Sequence, residues 1–190
     1  TNPEFEELSD TEPQLLVATQ ADGYLNKDNA GIQFTFVKQR KIGRMKRLLE
    51  EAGISYGEGV HNRKGRDEIK LRIPAGAEVA KKIRTFLTEK KGLSSRLFKL
   101  SARQIDIILD EVVFWDGTLT NKGDVVLDTT SKETVDVIQT LCSLANRKCL
   151  VSKYQRTSTF GDCLIYRAYI SKKTTANYLA ANKELHQEDY

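Results

Sequence analysis

Apolar residues recur along this chain at two periods, and the periods alternate. Ile32, Phe34 and Phe36 are spaced by Gln33 and Thr35, the alternation of a half-buried strand. Directly afterwards Ile42, Met45, Leu48 and Leu49 share one face of a helix expected over residues 38–52, with Gly53 ending it. Upstream, Thr11-Glu12-Pro13-Gln14 reads as a capping box for a helix over residues 14–21. That helix ends at Asp22-Gly23, where glycine is free to take the left-handed conformation that stops a helix. A short strand over 23–26 and a turn over 28–31 lead into the strand at 32–36. Residues 54–61 and 68–73 make a second hairpin around Asn62-Arg63-Lys64-Gly65-Arg66, and a third helix is expected over 77–90.

The pattern then restarts. Ser101-Ala102-Arg103-Gln104 is a second cap of the same kind, and its helix, over 104–115, again ends in Asp116-Gly117. A short strand over 118–121, a turn at Lys122-Gly123-Asp124 and a strand over 125–129 follow. Thr130-Ser131-Lys132-Glu133 opens a helix running to residue 146. A hairpin of 150–157 with 163–170 and a final helix over 174–181 complete the series. The chain is therefore read as an α+β protein, a tandem pseudo-two-fold repeat of α-β-β-α-β-β-α with two antiparallel sheets. The first half-domain spans residues 1–100, with an acidic leader over 1–10, and the second spans 101–190. Each unit is too small to bury its faces alone, so two units must pack about a common axis. Trp115, Met45 and the phenylalanines are expected in the core.

Composition narrows the class. The 190 residues are 39% hydrophobic and 29% charged, unlike a disordered chain. The apolar stretches fall far below the ~20 residues of a membrane span, and the acidic N-terminus is the reverse of a signal peptide. Three cysteines without a CxxC pair read as reduced thiols, so a cytoplasmic protein is expected. The net charge of +4 is unevenly spread. Residues 1–22 carry six acids and no base, whereas residues 38–103 carry 19 Lys and Arg against 7 Asp and Glu. Such a concentrated positive field points to nucleic acid or an anionic surface, a solvated helix face being the alternative.

Asp22 and Asp116 hold equivalent places in the two units. A carboxylate at a helix C-terminus opposes the macrodipole, and two facing carboxylates repel. Divalent cations between them remove both costs. Mg²⁺ takes oxygen ligands from one or two carboxylates and completes its shell with water and phosphate. Two such metals would clamp the attacking and leaving oxygens of a phosphodiester displacement.

At these residues the sequence resembles a known family. Leu15-Leu16-Val17-Ala18-Thr19-Gln20-Ala21-Asp22-Gly23 looks like the LAGLIDADG motif, and Leu109-Asp110-Glu111-Val112-Val113-Phe114-Trp115-Asp116-Gly117 looks like its second copy. From residue 11 to about 173 the repeat resembles the double-motif LAGLIDADG homing endonucleases. Lys91-Gly92-Leu93 ahead of Leu97-Phe98-Lys99-Leu100-Ser101 is similar to the block of intein endonucleases in which a lysine precedes the second motif helix. The resemblance implies a monomer whose saddle-like sheets sit on a long asymmetric site in double-stranded DNA, and which cuts both strands with Mg²⁺. It implies that Asp22, Asp116 and Lys91 are catalytic, with Asp22, Asp116, Gly23 and Gly117 at the metal. Lys172 or Lys173 is the expected counterpart of Lys91 in the second unit. A solvated residue in the Glu89-Lys90-Lys91 run is the alternative for Lys91. The family's motif helices carry small residues at the third and seventh motif positions. Val17 and Ala21 fit, but Glu111 and Trp115 do not. A non-cleaving DNA- or RNA-binding relative of the fold, such as a maturase or a regulator, is the other functional reading. The chain begins with Thr1 and lacks a terminal His-Asn, so it is expected not to splice by itself; it is consistent with an endonuclease domain excised from a host protein's intein.

The strands fit DNA independently. Lys70 and Arg72 alternate with Ile69, Leu71 and Ile73, and Gln33 and Thr35 alternate with the apolar residues of 32–36. In the last hairpin, Lys153, Gln155 and Thr157 are taken as outward on one strand, and Arg167 and Tyr169 on the other. Gln, Arg and Lys read purine edges in the major groove. His61, Arg63, Lys64 and Arg66 at the hairpin tip are candidate phosphate or base contacts. An ordinary solvated sheet face is the alternative for any one of them. The two histidines have no partner at ligand spacing, and no nucleophilic triad or phosphate loop is present.

Overall fold

In the first half of the chain, apolar spacing and backbone agree closely. The elements are α1 (Thr11–Asp22), β1 (Gly23–Leu25), β2 (Ile32–Phe36), α2 (Gln39–Glu51), β3 (Gly57–Arg63), β4 (Arg66–Ile73) and α3 (Glu78–Thr85). A 3₁₀ turn over Ser95–Lys99 leads to α4 (Ala102–Trp115), β5 (Gly117–Leu119), β6 (Val125–Thr129), α5 (Lys132–Leu144), β7 (Arg147–Ser158) and β8 (Gly161–Thr174). The computed structural model describes residues 8–25, 31–63, 65–158 and 161–174. Most of the turn expected over 28–31, the tip residue Lys64, and residues 175–181 of the expected last helix lie outside them; its first residue, Thr174, belongs to strand β8 instead.

The two halves build the same sheet twice. The first has strand order β1-β2-β4-β3 and the second β5-β6-β8-β7, with every pair antiparallel. The alternation in β2 buries Ile32, Phe34 and Phe36, and the stripe on α2 buries Ile42, Met45, Leu48 and Leu49. Their counterparts Val125 and Leu127 on β6 and Val135, Ile138 and Leu141 on α5 are buried as well. Leu15, Leu16 and Val17 of α1 and Ile105, Ile108, Leu109 and Val112 of α4 join both groups into a single core. Burying each large side chain contributes roughly 1.5–3 kcal/mol. This fixes α1 against α4 and brings the ends of both helices together.

Most boundaries fall within a few residues of expectation, and three of the shifts have a visible cause. Helix α1 begins at Thr11 rather than Gln14, and Ser9 N–H donates to Glu12 Oε2 at 2.7 Å in place of a Thr11 cap. First-turn amides lack intrahelical partners, so Pro13 is tolerated inside that turn. Helix α5 is capped by Ser131, not Thr130, because its hydroxyl reaches the Thr134 amide three residues on, at 3.1 Å. Helix α3 stops at Thr85, and the chain folds back through a Leu87–Leu93 bridge that buries both leucines. The capping box at Ser101 and Gln104 is present in full.

Candidate functional site

Helices α1 and α4 pack against each other, and each ends in Asp-Gly. The glycines are needed for space rather than for a left-handed turn. Gly23 has φ −72° and ψ 141°, an extended conformation, which corrects the expectation drawn from its helix-stopping role. A Cβ there would lie 2.6 Å from the Thr19 carbonyl oxygen, and one on Gly117 would lie 2.9 Å from that of Val112. In both units the chain passes hard against the last helical turn as it leaves for the sheet. That path sets the preceding aspartate at the head of a strand.

Asp22 and Asp116 meet around the ammonium of Lys41, which lies 2.5 Å from Asp22 Oδ2 and 3.9 Å from Asp116 Oδ1. Lys91 approaches from the other flank. Its Nζ donates to the carbonyls of Ala21 at 3.2 Å and Gly23 at 2.9 Å, the residues on either side of Asp22. The Ala21 carbonyl belongs to the last turn of α1, where a cation is favoured. Lys91 holds φ 64°, a left-handed conformation uncommon outside glycine, in a tight loop closed by Thr88 N–H to Gly92 O at 2.8 Å. Burial lowers the Lys91 pKa, and the charges of Asp116 and Asp22 oppose that shift. Burial and the nearby Asp22 charge raise the Asp116 pKa, while Lys41 and Lys91 act against the rise. The four groups thus form one electrostatic cluster. Lys172 is exposed on β8, and the side chain of Lys173 lies outside the description.

Lys41 escaped the sequence reading, which used α2 only for its apolar stripe. A signal was present nevertheless. Lys38, Arg40 and Lys41 crowd the N-terminus of α2, and no acid stands in its first turn. Cations there oppose the helix dipole. The opposition is relieved from outside, by the two aspartates and by Arg40, which donates to the Phe114 carbonyl at 2.9 Å.

Two carboxylates with water and phosphate to complete the shell are a fitting donor set for a hard divalent cation. Among the described residues no group of three or more His, Cys, Asp and Glu converges on one point. Glu111, the large residue at a small-residue position of the second motif, is buried by Arg44 of α2. Arg44 Nε and Nη2 donate to its two carboxylate oxygens, and Trp115 Nε1 donates to it at 2.8 Å. Trp115 is buried against Phe36, with ring centroids 5.8 Å apart.

The sheets present unlike faces. In the first, cross-strand partners place Gln33 beside Arg72, Thr35 beside Lys70, His61 beside Glu68 and Arg63 beside Arg66, all on the side away from the core. Four cations stand there against one acid. In the second, Arg167 pairs with Ser152, whereas Lys153 pairs with Tyr166 and Gln155 with Leu164. Lys153, Gln155 and Thr157 therefore lie on the opposite face from Arg167, correcting the expectation of a shared outward face. They share their face with Val151 and Ala168, and stay exposed because the hairpin runs past the core. On the outward side Arg167 donates to both Asp128 oxygens at 2.7 Å and lies over the Tyr154 ring at 4.9 Å. These hydrogen bonds chiefly hold the Asp128 carboxyl below its usual range. Leu150, 57% exposed, and Tyr169, 38% exposed, flank them. The first face is basic, and the second sets Leu150, Tyr154 and Tyr169 beside two arginines, Arg156 and the Arg167 engaged by Asp128.

No family model and no curated protein sequence matches the chain. Solved structures do share its fold. Mesophilic variants of the homing endonuclease I-DmoI match with a TM-score of 0.57 over 86% of this chain and 89% of theirs, at 11% identity. I-DmoI in complex with DNA and Ca gives 0.56 over 88% and 85%, at 13% identity. The N-terminal LAGLIDADG domain of DUF199/WhiA gives 0.54 over 94% and 83%, at 16% identity. The chain thus has the LAGLIDADG fold. Among the described residues, no helix is long and apolar enough to cross a membrane.

Proposed function

We propose that this protein is a site-specific double-strand DNA endonuclease dependent on divalent metal. The observation that carries the reading is the meeting of Asp22 and Asp116 at the ends of two packed helices, each from an equivalent unit. The units divide near residue 100, and one chain supplies both halves of the site, so the active form is a monomer. The cationic face of the first sheet, with Arg63, Arg66, Lys70 and Arg72, holds phosphates. Gln33 and Thr35 beside them read base edges. The second sheet contributes Arg167, Tyr169 and Leu150. A complex of I-DmoI with its target DNA in the presence of Mn supports both the substrate class and the metal class.

When bound, Mg²⁺ would supply Lewis-acid stabilisation of the scissile phosphate. Asp22 and Asp116 would hold it. Lys91, anchored on the Ala21 and Gly23 carbonyls, sets a positive charge beside the reacting phosphate. The half-burial of Lys91 limits water around it and strengthens that field. The lysine block around Lys91 and Leu97–Ser101 supports an intein-type endonuclease.

The test is selection of cleavable sites from a random DNA library in Mg²⁺, with Asp22→Asn and Asp116→Asn proteins in parallel. Recovery of one long site cut only by the wild type supports the reading, and equal recovery with the variants overturns it. A second reading, DNA binding without cleavage, is favoured by one feature: an ammonium already bridges the two carboxylates. Enrichment of a bound but never cut site would establish it.

A further inference from the structure

We infer that Lys41 is the resident counter-ion of the carboxylate pair, and that a divalent cation binds there by displacing it. The inference rests on the reading of Asp22 and Asp116 as the metal's ligands. The Lys41 ammonium lies within 4 Å of an oxygen from each acid, and its side chain is only 12% exposed. It is also 5.9 Å from the Trp115 ring centroid, close enough for the ring face to favour a cation. Lys91 is committed elsewhere, to the Ala21 and Gly23 carbonyls, so among the described residues it is Lys41 that spans the pair.

The charge count then decides the behaviour. Two carboxylates and two ammonium groups are neutral as they stand. A dication entering beside both lysines would meet repulsion that offsets most of the attraction of the acids. If Lys41 withdraws, the acids regain a net attraction for the metal. Lysine suits this role because its ammonium sits on a flexible four-carbon stem and makes no fixed bidentate grip. The way out is on the side of Asp116, whose side chain is 45% exposed against 26% for Asp22. Free protein should therefore bind metal weakly, with Lys41 and metal excluding each other.

The experiment is a Mn²⁺ titration of the DNA-free protein followed by electron paramagnetic resonance. Lys41→Met should bind Mn²⁺ about tenfold or more tighter than wild type, within the usual range of coupling between sites. Adding Asp22→Asn to Lys41→Met should erase that gain. The metal-free Lys41→Met protein should also melt below wild type and recover in Mn²⁺. Should Lys41→Met not fold, Lys41→Gln takes its place, and the wild type gives its own test. Lys41 should be acetylated slowly by acetic anhydride without metal and several-fold faster at saturating Mn²⁺, read by peptide mass spectrometry. Equal Mn²⁺ affinity with and without Lys41 overturns the inference, as does a gain that survives Asp22→Asn, or a Lys41 labelling rate indifferent to metal. Failure to cut any selected DNA while these results hold would overturn the endonuclease reading and leave the displacement standing.

Discussion

Glu111 of α4 is 1% exposed, and its carboxylate is held by Nε and Nη2 of the Arg44 guanidinium on α2. The pair spans the two units. It accounts for a carboxylate where the resemblance calls for a small residue: the charge is met by α2 and by the Trp115 indole, rather than by metal or solvent. Arg44 also lies 3.9 Å over the Phe114 ring. Removing one partner of a buried pair leaves the other uncompensated. Arg44→Ala should therefore lower stability by about 3 kcal/mol. Replacing both, as Arg44→Met with Glu111→Leu, should cost much less. Urea unfolding of the two proteins checks the difference.

Asp22→Asn and Asp116→Asn should each reduce cleavage of the selected site by about 10²-fold or more, the scale for losing one preorganised charge-stabilising group. DNA affinity should hold or rise, because a negative charge facing phosphate is removed. Gel shifts beside cleavage assays separate the two effects. Wild-type cutting by either variant would dismiss the carboxylate pair as the active site.

Gly23→Ala and Gly117→Ala should destabilise the fold by about 1–3 kcal/mol, as forced overpacking does. The new methyl group would press on the backbone of the preceding helical turn, which cannot swing away, and at Gly23 on the Thr19 methyl as well. Gly43→Ala, with nothing within 4 Å of its added carbon, is the internal control and should be neutral or slightly stabilising. Thermal melts of the three proteins decide.

Affinity for DNA should fall steeply with salt, at about −0.9 in the log–log slope for each phosphate neutralised. Replacing Lys70 and Arg72 together should flatten the slope by nearly two such steps. Leu150→Ser and Tyr169→Ala should leave the slope unchanged and alter discrimination at bases under the second sheet, where apolar groups meet thymine methyls. A wild-type slope shallower than about −3 would mean that the basic stretch is ordinary solvated surface.

Asp128 gives a signed pH effect. Its pKa is depressed in the folded protein, chiefly by the Arg167 hydrogen bonds. Its contribution to stability is therefore present above the ordinary carboxylate value of about 3.9 and fades as pH falls through the lower folded-state value. Asp128→Asn should lower the melting temperature at pH 7, and the two melting curves should converge in acid. The same substitution frees Arg167 for phosphate, so the salt slope of DNA binding should steepen by about one step.

Most elements of the fold were legible because local rules decide them. Apolar alternation located β2, the stripe Ile42–Met45–Leu48–Leu49 located α2, and Ser101 with Gln104 marked the start of α4. The recurrence of Asp-Gly 94 residues apart revealed the repeat and singled out Asp22 and Asp116. These signals lie within a turn or two of chain, where hydrogen bonding and burial act on neighbours.

What the tertiary structure alone decided involves groups far apart in sequence. Lys41 joins Asp22 and Asp116 only because α2 is pressed against the ends of two helices, and the apolar period that positions α2 carries no information about its cations. Arg44 finds Glu111 across 67 residues for the same reason. The face shown by Lys153 and Gln155 was misread because alternation fixes which residues share a side of a strand, not which side meets the core. That choice is made by the partner strand, whose Ala168 and Ile170 are fully buried, and a shift of one residue reverses it.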